Sequence, residues 1–340
     1  MNMAHVASGP LPDRGRPVEA EIDAREPGRG RLAETPGEIP ARGWRDILWR
    51  VYEQTAEDRV FSVAGSMAFF TLLALFPGLS ALVALYGLFA DTSTIGQHLS
   101  QLAFVLPAGA YDLIAAQIEL AVAASNGALG LRFALSVLIA IWSANSGMKA
   151  AFDGLNVAYE ETERRSFIVL NLQSLAFTLL ALVAGIVAVG VVIAVPVIFS
   201  LLKVDARAEF WISLLRWPVM IVAIGLALAF LYRFGPSREQ PKWRWVTWGS
   251  TLAAVLWVLV SSLFSWYVAG FGSYESSYGP LGAIIAFMTW IWLSASVVLL
   301  GAELNAEMEH QTAVDSTTGA PLPLGARGAQ MADTIGKTSG

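Results

Sequence analysis

The fold is decided by an uncharged stretch at residues 62–90, SVAGSMAFFTLLALFPGLSALVALYGLFA. Residues 246–274 and 276–302 also contain no Asp, Glu, Lys or Arg. Each of these stretches exceeds the roughly 20 apolar residues that an α-helix needs to cross a bilayer. The sequence therefore predicts a membrane-spanning helix in each.

A fourth span is predicted from residues 166–202, which are uncharged for 37 positions. As one helix this stretch would be ~55 Å long, well beyond the ~30 Å thickness of the hydrocarbon core. Proline removes a backbone donor and disfavours a continuous helix. We therefore expect a span over 167–193 and a break at Pro196.

Two further spans contain a few charges. Residues 210–232 contain only Arg216, which lies close enough to one end for its side chain to extend to the headgroups. Residues 133–158 begin with 16 uncharged positions before Lys149 and Asp153. The predicted fold is an all-α, polytopic membrane protein with six transmembrane helices, at about 62–90, 133–158, 167–193, 210–232, 246–270 and 281–303.

The composition agrees with a membrane protein. Hydrophobic residues make up 55% of the 340 residues and charged residues only 14%, against roughly a quarter charged in a soluble domain. The absence of Cys and the presence of only three His exclude a thiolate nucleophile, a disulfide framework, a Cys-based zinc site and a His-rich di-metal site. A net charge of -5 argues against a nucleic-acid partner. We expect no metal and no cofactor.

Residues outside the spans fall into two classes. Residues 1–42 and 311–340 are rich in small and polar residues and have no apolar run, so we expect two disordered tails. Residues 43–58 predict an N-terminal interfacial helix. Its apolar face comprises Trp44, Ile47, Leu48, Val51 and Thr55, whereas Arg45, Asp46, Arg50 and Glu53 lie elsewhere on the helix.

Residues 98–123 predict an extracytoplasmic helical hairpin. Two apolar stripes at helical spacing are separated by Pro107 and Gly109. A seventh span is the alternative, but Asp112 and Glu119 leave too short an uncharged run. The hairpin therefore remains the preferred interpretation.

The distribution of basic residues predicts the orientation. Lys and Arg concentrate on the cytoplasmic side of bacterial inner-membrane proteins. With both termini inside, the inner flanks carry ten basic residues: Arg42, Arg45, Arg50, Arg59, Arg164, Arg165, Arg233, Arg238, Lys242 and Arg244. The outer flanks carry three, namely Arg132, Lys203 and Arg207. We therefore expect a multi-pass membrane protein, in contact with lipids, with both termini cytoplasmic.

One helix face in the second span carries a polar stripe. Asn145, Lys149, Asp153 and Asn156 fall at about 0°, 40°, 80° and 20° around the helix axis. Charged groups within a span normally face the bundle interior or a wet cavity. The stripe is interpreted either as a path for a substrate or ion, or as a structural site in which Lys149 and Asp153 form an ion pair.

Other polar residues are predicted at the same depth. Asn171 and Gln173 open the third span, while Glu303 and Asn305 close the sixth. All four could join the stripe in a cavity open to the cytoplasm. For Glu303, a solvated position at the helix end is the alternative.

Backbone features suggest possible movement and close packing. Pro77 lies at the middle of the first span, where it predicts either a hinge or a fixed kink. Gly279 and Pro280 start the sixth span, with Pro280 suited to the first helical turn. Gly282 and Ala286 have the spacing that permits a close helix contact.

Five separated motifs occur in the order AGSMAFFTLLALFP at 64–77, IWSAN at 141–145, LNVAY at 155–159, YGPLG at 278–282 followed by Trp290, and GAELN at 301–305. Together they resemble the YihY/BrkB family of bacterial inner-membrane proteins over about residues 43–308. The resemblance implies six membrane helices, an association with virulence and serum resistance, and suspected transport. It also carries an older ribonuclease BN label, but no catalytic residues to transfer.

Three functions follow as hypotheses. The first is transport or permeation of an unknown solute or lipid through the polar cavity, and the second is a membrane scaffold in envelope integrity. The third, a membrane-bound nuclease, would need clustered carboxylates facing the cytoplasm. No nucleotide-binding loop or catalytic constellation occurs, so we predict a protein that is not an enzyme. A homo-oligomer is compatible with the sequence.

Overall fold

The computed structural model describes residues 18–86, 115–116, 118–120, 131–202, 206–270 and 280–339. The regular secondary structure of the described residues is helical, and one isolated antiparallel bridge joins Pro241 to Thr317. The helices are α1 (Val18–Arg25), α2 (Ala41–Glu57), α3 (Val60–Tyr86), α4 (Leu131–Ala158), α5 (Phe167–Leu202), α6 (Ala206–Phe234), α7 (Trp243–Gly270), α8 (Pro280–Glu309) and α9 (Gln330–Asp333). This confirms the all-helical class for the described part of the chain.

Among the described residues, five helices are long and apolar enough to cross a membrane, namely α3, α5, α6, α7 and α8. The helix α4 has 28 residues, which at ~1.5 Å per residue is also long enough. It is not among those five, so a sixth crossing stays a prediction. The predicted hairpin lies outside the described residues apart from 115–116 and 118–120.

The predicted break at Pro196 is wrong. The helix α5 continues through this proline to Leu202, and α3 likewise continues through Pro77. A proline removes only one hydrogen bond, and the rest of an apolar helix retains its backbone pairing because lipid offers no alternative partner. Pro280 is the first residue of α8 and Gly282 is buried, whereas Gly279 lies outside the described residues.

The bundle packs around α3, α4 and α8, with α7 placed between α6 and α8. The closest crossing joins α7 to α8 at two glycines. A Cβ added to Gly249 would lie 2.1 Å from the Gly301 carbonyl oxygen, and one added to Gly301 would lie 2.8 Å from that of Gly249. The outer faces of the helices remain apolar and exposed, as expected of surfaces that meet lipid.

The loops at one end of the bundle pack together with the described parts of the two terminal segments. We call this the terminal end, formed by residues 26–40, 57–60, 159–166, 235–242 and 310–339. Arg31 is fully buried there and donates hydrogen bonds to the carbonyl oxygens of Gln311 (2.9 Å) and Gly336 (2.7 Å). Arg327 likewise donates to those of Ala313 and Ala332.

The described parts of the two predicted disordered tails are therefore folded, which corrects that expectation for residues 18–42 and 311–339. The helix predicted at 43–58 is present as α2, with Ile47 fully buried against Trp245 and Met308. Of the four charged residues placed away from the apolar face, Asp46 and Arg50 are buried, because both contact the C-terminal segment, whereas Arg45 is exposed.

Candidate functional site

The predicted stripe has its buried part between α4 and α5. Asn145, at the midpoint of α4, is fully buried and accepts a hydrogen bond from Thr178 Oγ1 at 3.2 Å. Its Nδ2 has no partner among the described residues. One end of α5 repeats the pattern, since Asn171 is buried and its Oδ1 also lacks a partner there. We call Asn145, Asn171, Ser174 and Thr178 the polar seam.

Lys149 and Asp153 do not form the predicted ion pair. Lys149 Nζ lies 5.4 Å from the centre of the Trp142 ring, a cation–π arrangement that uses a residue two turns away on the same helix face. The Asp153 side chain is exposed. Within the described part of the chain, neither side chain has an ion-pair partner.

Asn156 and Gln173 connect helices at the terminal end. Asn156 Oδ1 accepts a hydrogen bond from the backbone N–H of Ser237 at 2.8 Å, and its Nδ2 donates to Glu163 at 3.2 Å. Gln173 donates to the Phe234 carbonyl oxygen and accepts from Arg165. These amides are fully engaged in holding α4 and α5 against the segment that follows α6.

Asn305 and Glu303 differ although they are two residues apart on α8. Asn305 Oδ1 accepts from the Gly249 N–H at 2.8 Å, and its Nδ2 donates to the Val246 carbonyl oxygen at 3.3 Å, so it joins α8 to α7. Glu303 is fully buried, and neither carboxylate oxygen has a partner among the described residues. The alternative of a solvated Glu303 at the helix end is therefore wrong.

The eight predicted polar residues therefore do not line one cavity. A cavity of about 230 Å³ lies between α6 and α7, lined by residues including Trp217, Trp257 and Ser261, and none of the eight contributes to it. Within the described ranges, no group of three His, Cys, Asp or Glu residues could hold a metal ion.

The sequence analysis missed the buried ion pairs of the terminal end. Arg238 pairs with Glu309 at 2.6 Å, and both side chains are completely buried. Arg50 pairs with Glu307, also in a buried position. The signal available was the carboxylate of Glu307 one helical turn after Glu303, followed by Glu309, in a helix that continues past its apolar run.

A more exposed ion pair, Arg165–Glu163, changes the pKa of its carboxyl group. Arg165 donates hydrogen bonds to the Glu163 carboxylate, with the shortest at 2.6 Å. These bonds lower the pKa of Glu163 to about 2. Glu163 therefore stays ionised at any physiological pH and keeps its contact with Asn156.

The chain is similar in sequence to known membrane proteins over most of its length. The family profile described as Virulence factor BrkB matches residues 51–322. A ribonuclease-like protein of Bacillus subtilis strain 168, YfkH, is 32% identical over 254 residues, which cover 72% of this chain and 88% of the relative. No solved structure matches the chain.

Two further relatives carry the name UPF0761 membrane protein. The one from Idiomarina loihiensis is 30% identical over 54% of this chain and 61% of its own length. The one from Haemophilus influenzae is 23% identical over 78% of this chain and 94% of its own length. Since the profile covers most of the chain and the described helices are apolar enough to span a bilayer, this multi-pass membrane protein belongs to the virulence factor BrkB family.

Proposed function

We propose that the protein moves a solute or a lipid across the bacterial cytoplasmic membrane, with the polar seam between α4 and α5 as part of the path. The observation that carries the proposal is Asn145, a fully buried amide at the midpoint of a long helix whose Nδ2 has no acceptor. A buried donor without a partner costs ~1–3 kcal/mol. A group kept at that cost in a membrane helix is typical of a substrate or ion pathway.

The neighbouring helix supplies a means of opening the seam. Gly78 follows Pro77 in α3, and a Cβ at Gly78 would lie 3.7 Å from the Ala144 side chain. Gly147 of α4 lies equally close to α3, since its Cβ would be 3.1 Å from that of Ala74. Bending of α3 at Pro77 would thus displace α4 on both sides of Asn145.

Replacing Asn145 is expected to separate activity from stability. Asn145→Leu removes an amide whose Nδ2 has no acceptor, and Thr178 keeps its hydrogen bond to the Ser174 carbonyl oxygen, so the free energy of unfolding should fall by no more than about 1 kcal/mol, while transport is abolished. Asn156→Leu should cost ~1–3 kcal/mol, because the Ser237 N–H loses its acceptor. Ser146→Ala, on the same helix, is the matched control.

Metabolite and lipid profiles of a deletion strain, complemented at equal expression, would measure the activity. If the strain complemented with Asn145→Leu has the same metabolite and lipid profiles as the strain complemented with wild type, the polar seam is not part of the transport path. If purified protein in liposomes also moves no compound identified by the profiles, the scaffold hypothesis would replace transport.

The proposed orientation has both termini in the cytoplasm. Because the chain contains no Cys, a single introduced cysteine reports which side of the membrane it occupies. Thr162→Cys, exposed at the terminal end, should react with an impermeant maleimide only after spheroplasts are permeabilised. Gly127→Cys should react in intact spheroplasts. The reverse labelling pattern would invert the topology.

The ribonuclease-like name of the Bacillus subtilis relative suggests a different function. A nuclease needs carboxylates that reach a phosphodiester backbone. Glu303 is fully buried, so this carboxylate does not reach such a backbone. We therefore favour transport.

A further inference from the structure

Glu303 is a carboxyl group with no structural partner. Its side chain is completely buried in α8, and neither oxygen accepts a hydrogen bond from any described residue. An ionised carboxylate buried without a partner costs many kcal/mol, so such a group either takes up a proton or binds a cation.

The nearest group to Glu303 is another carboxyl. Asp58 lies in the two-residue turn between α2 and α3, where its backbone N–H donates to Gln54 and the next residue, Arg59, has φ 51°. Its side chain lies beside that of Glu303, and its buried Oδ2 also lacks a partner among the described residues. Asp58 is half-exposed, which connects the buried carboxyl to solvent.

The other ionisable groups around Glu303 make its charge less favourable. Glu307 faces it from the same helix, Glu160 from the segment after α4, and the buried Tyr159 hydroxyl lies close by. Arg50, the basic residue that α2 brings closest, is already paired with Glu307. Arg238 is likewise paired with Glu309, so neither arginine compensates Glu303.

Two adjacent carboxyl groups in a buried site cannot both ionise cheaply, and one proton between them removes the repulsion. A metal ion would need further ligands, and the described residues supply no group of three that could hold one. We propose that Asp58 and Glu303 form a proton-binding site, in which one proton from the solvent enters through Asp58 and is shared with Glu303 in mildly acidic solution.

Loss of this proton would leave two negative charges between α8 and the α2–α3 turn. The start of α3 is tied to α8 by a hydrogen bond from Trp292 Nε1 to the Phe61 carbonyl oxygen at 2.8 Å. Repulsion between the ionised Asp58 and Glu303 would therefore weaken the contact between α3 and α8. The site stands whether or not the protein transports a substrate; if it does, this proton is available to drive the movement.

The pH dependence of stability follows from the direction of the shift. Burial raises the pKa of Asp58 to about 6, above its value of about 3.9 in an unfolded chain. The resulting stabilisation is complete below about pH 4 and is lost as the pH rises through about 6. Between about pH 5 and pH 8, the Tm of the full-length protein in nanodiscs should fall by roughly 3–6 °C.

The Asp58→Asn variant carries a permanently neutral group in place of the titrating carboxyl and should lose most of this fall in Tm. Glu303→Gln should reduce the fall, because Asp58 then ionises without a second carboxylate beside it, and it serves if Asp58→Asn does not fold. Glu34→Gln, which changes an exposed carboxylate away from the pair, should retain the wild-type profile. Difference infrared spectra between pH 5 and pH 8 should show a protonated carboxyl C=O band at pH 5 that both site variants weaken and Glu34→Gln keeps.

Two results would overturn the proposal. The first is a wild-type spectrum without that band, together with pH profiles that are the same in all variants. The second is a saturable rise in the Tm at pH 8 with sodium chloride but not with choline chloride, which would make the pair a sodium site instead.

Discussion

Replacing Gly249 with alanine is expected to disrupt the α7–α8 contact, with a loss in the free energy of unfolding at or above the ~3 kcal/mol that is usual for overpacking. The new Cβ would lie 2.1 Å from the Gly301 carbonyl oxygen and 2.4 Å from Asn305 Oδ1. The first of these atoms is backbone, and the second is fixed by its hydrogen bond to Gly249. Neither can move without separating the helices.

Gly225→Ala is the matched control, because Gly225 lies at the neighbouring α6–α7 contact, where its Cβ would meet Ala254 at an ordinary 3.8 Å. Thermal unfolding of both detergent-solubilised variants, followed by tryptophan fluorescence, measures the difference. Equal Tm values for Gly249→Ala and Gly225→Ala would show that the α7–α8 crossing is wider than described.

Breaking the Arg238–Glu309 pair is expected to produce the second large effect. Both side chains are fully buried and 2.6 Å apart, and removing one partner of such a pair costs ~3–5 kcal/mol because the other charge remains buried. Arg238→Met and Glu309→Leu should each destabilise the protein by that amount. The double variant should lose much less than the sum of the two, since it leaves no unpaired charge.

A second double-mutant cycle, with Lys149→Met and Asp153→Leu, serves as the comparison for the loss of stability. Lys149 lies over Trp142 and Asp153 is exposed, so their single losses should add in the double variant. Additive losses at Arg238 and Glu309 would mean that the two groups do not stabilise one another. Non-additive losses at Lys149 and Asp153 would restore the ion pair predicted from helical spacing.

The spanning helices could be predicted from sequence within a few residues, because lipid leaves no alternative for a long uncharged run. The predicted span 246–270 is observed as Trp243–Gly270, and 210–232 as Ala206–Phe234. The helical ends extend further than predicted where protein instead of lipid surrounds them. The helix α8 continues to Glu309 because Arg50 and Arg238 pair with its last carboxylates.

The folded terminal segments could not be predicted from hydrophobic periodicity. Arg31 and Arg327 hold them by donating to backbone carbonyl oxygens, a pattern that depends on tertiary structure and leaves no repeat in the sequence. For the same reason, helical angles correctly placed Asn145 in the interior but did not reveal that Asn156 and Asn305 bind backbone groups of other segments. The Glu303–Asp58 contact joins residues far apart in sequence, and spacing carries no information about it.

The hydrogen bonds of Arg31 have a consequence for how the protein is made. They join residues separated by 280 and 305 positions, so they cannot form until the ribosome has synthesised almost the whole chain. During insertion, the side chains of the arginines near the N-terminus remain hydrated while the later helices enter the bilayer. A translation product that stops after α8 would keep the ion pair of Arg31 with Glu26 but would lack the carbonyl acceptors, and would thus present incomplete synthesis as unsatisfied guanidinium donors on an otherwise assembled bundle.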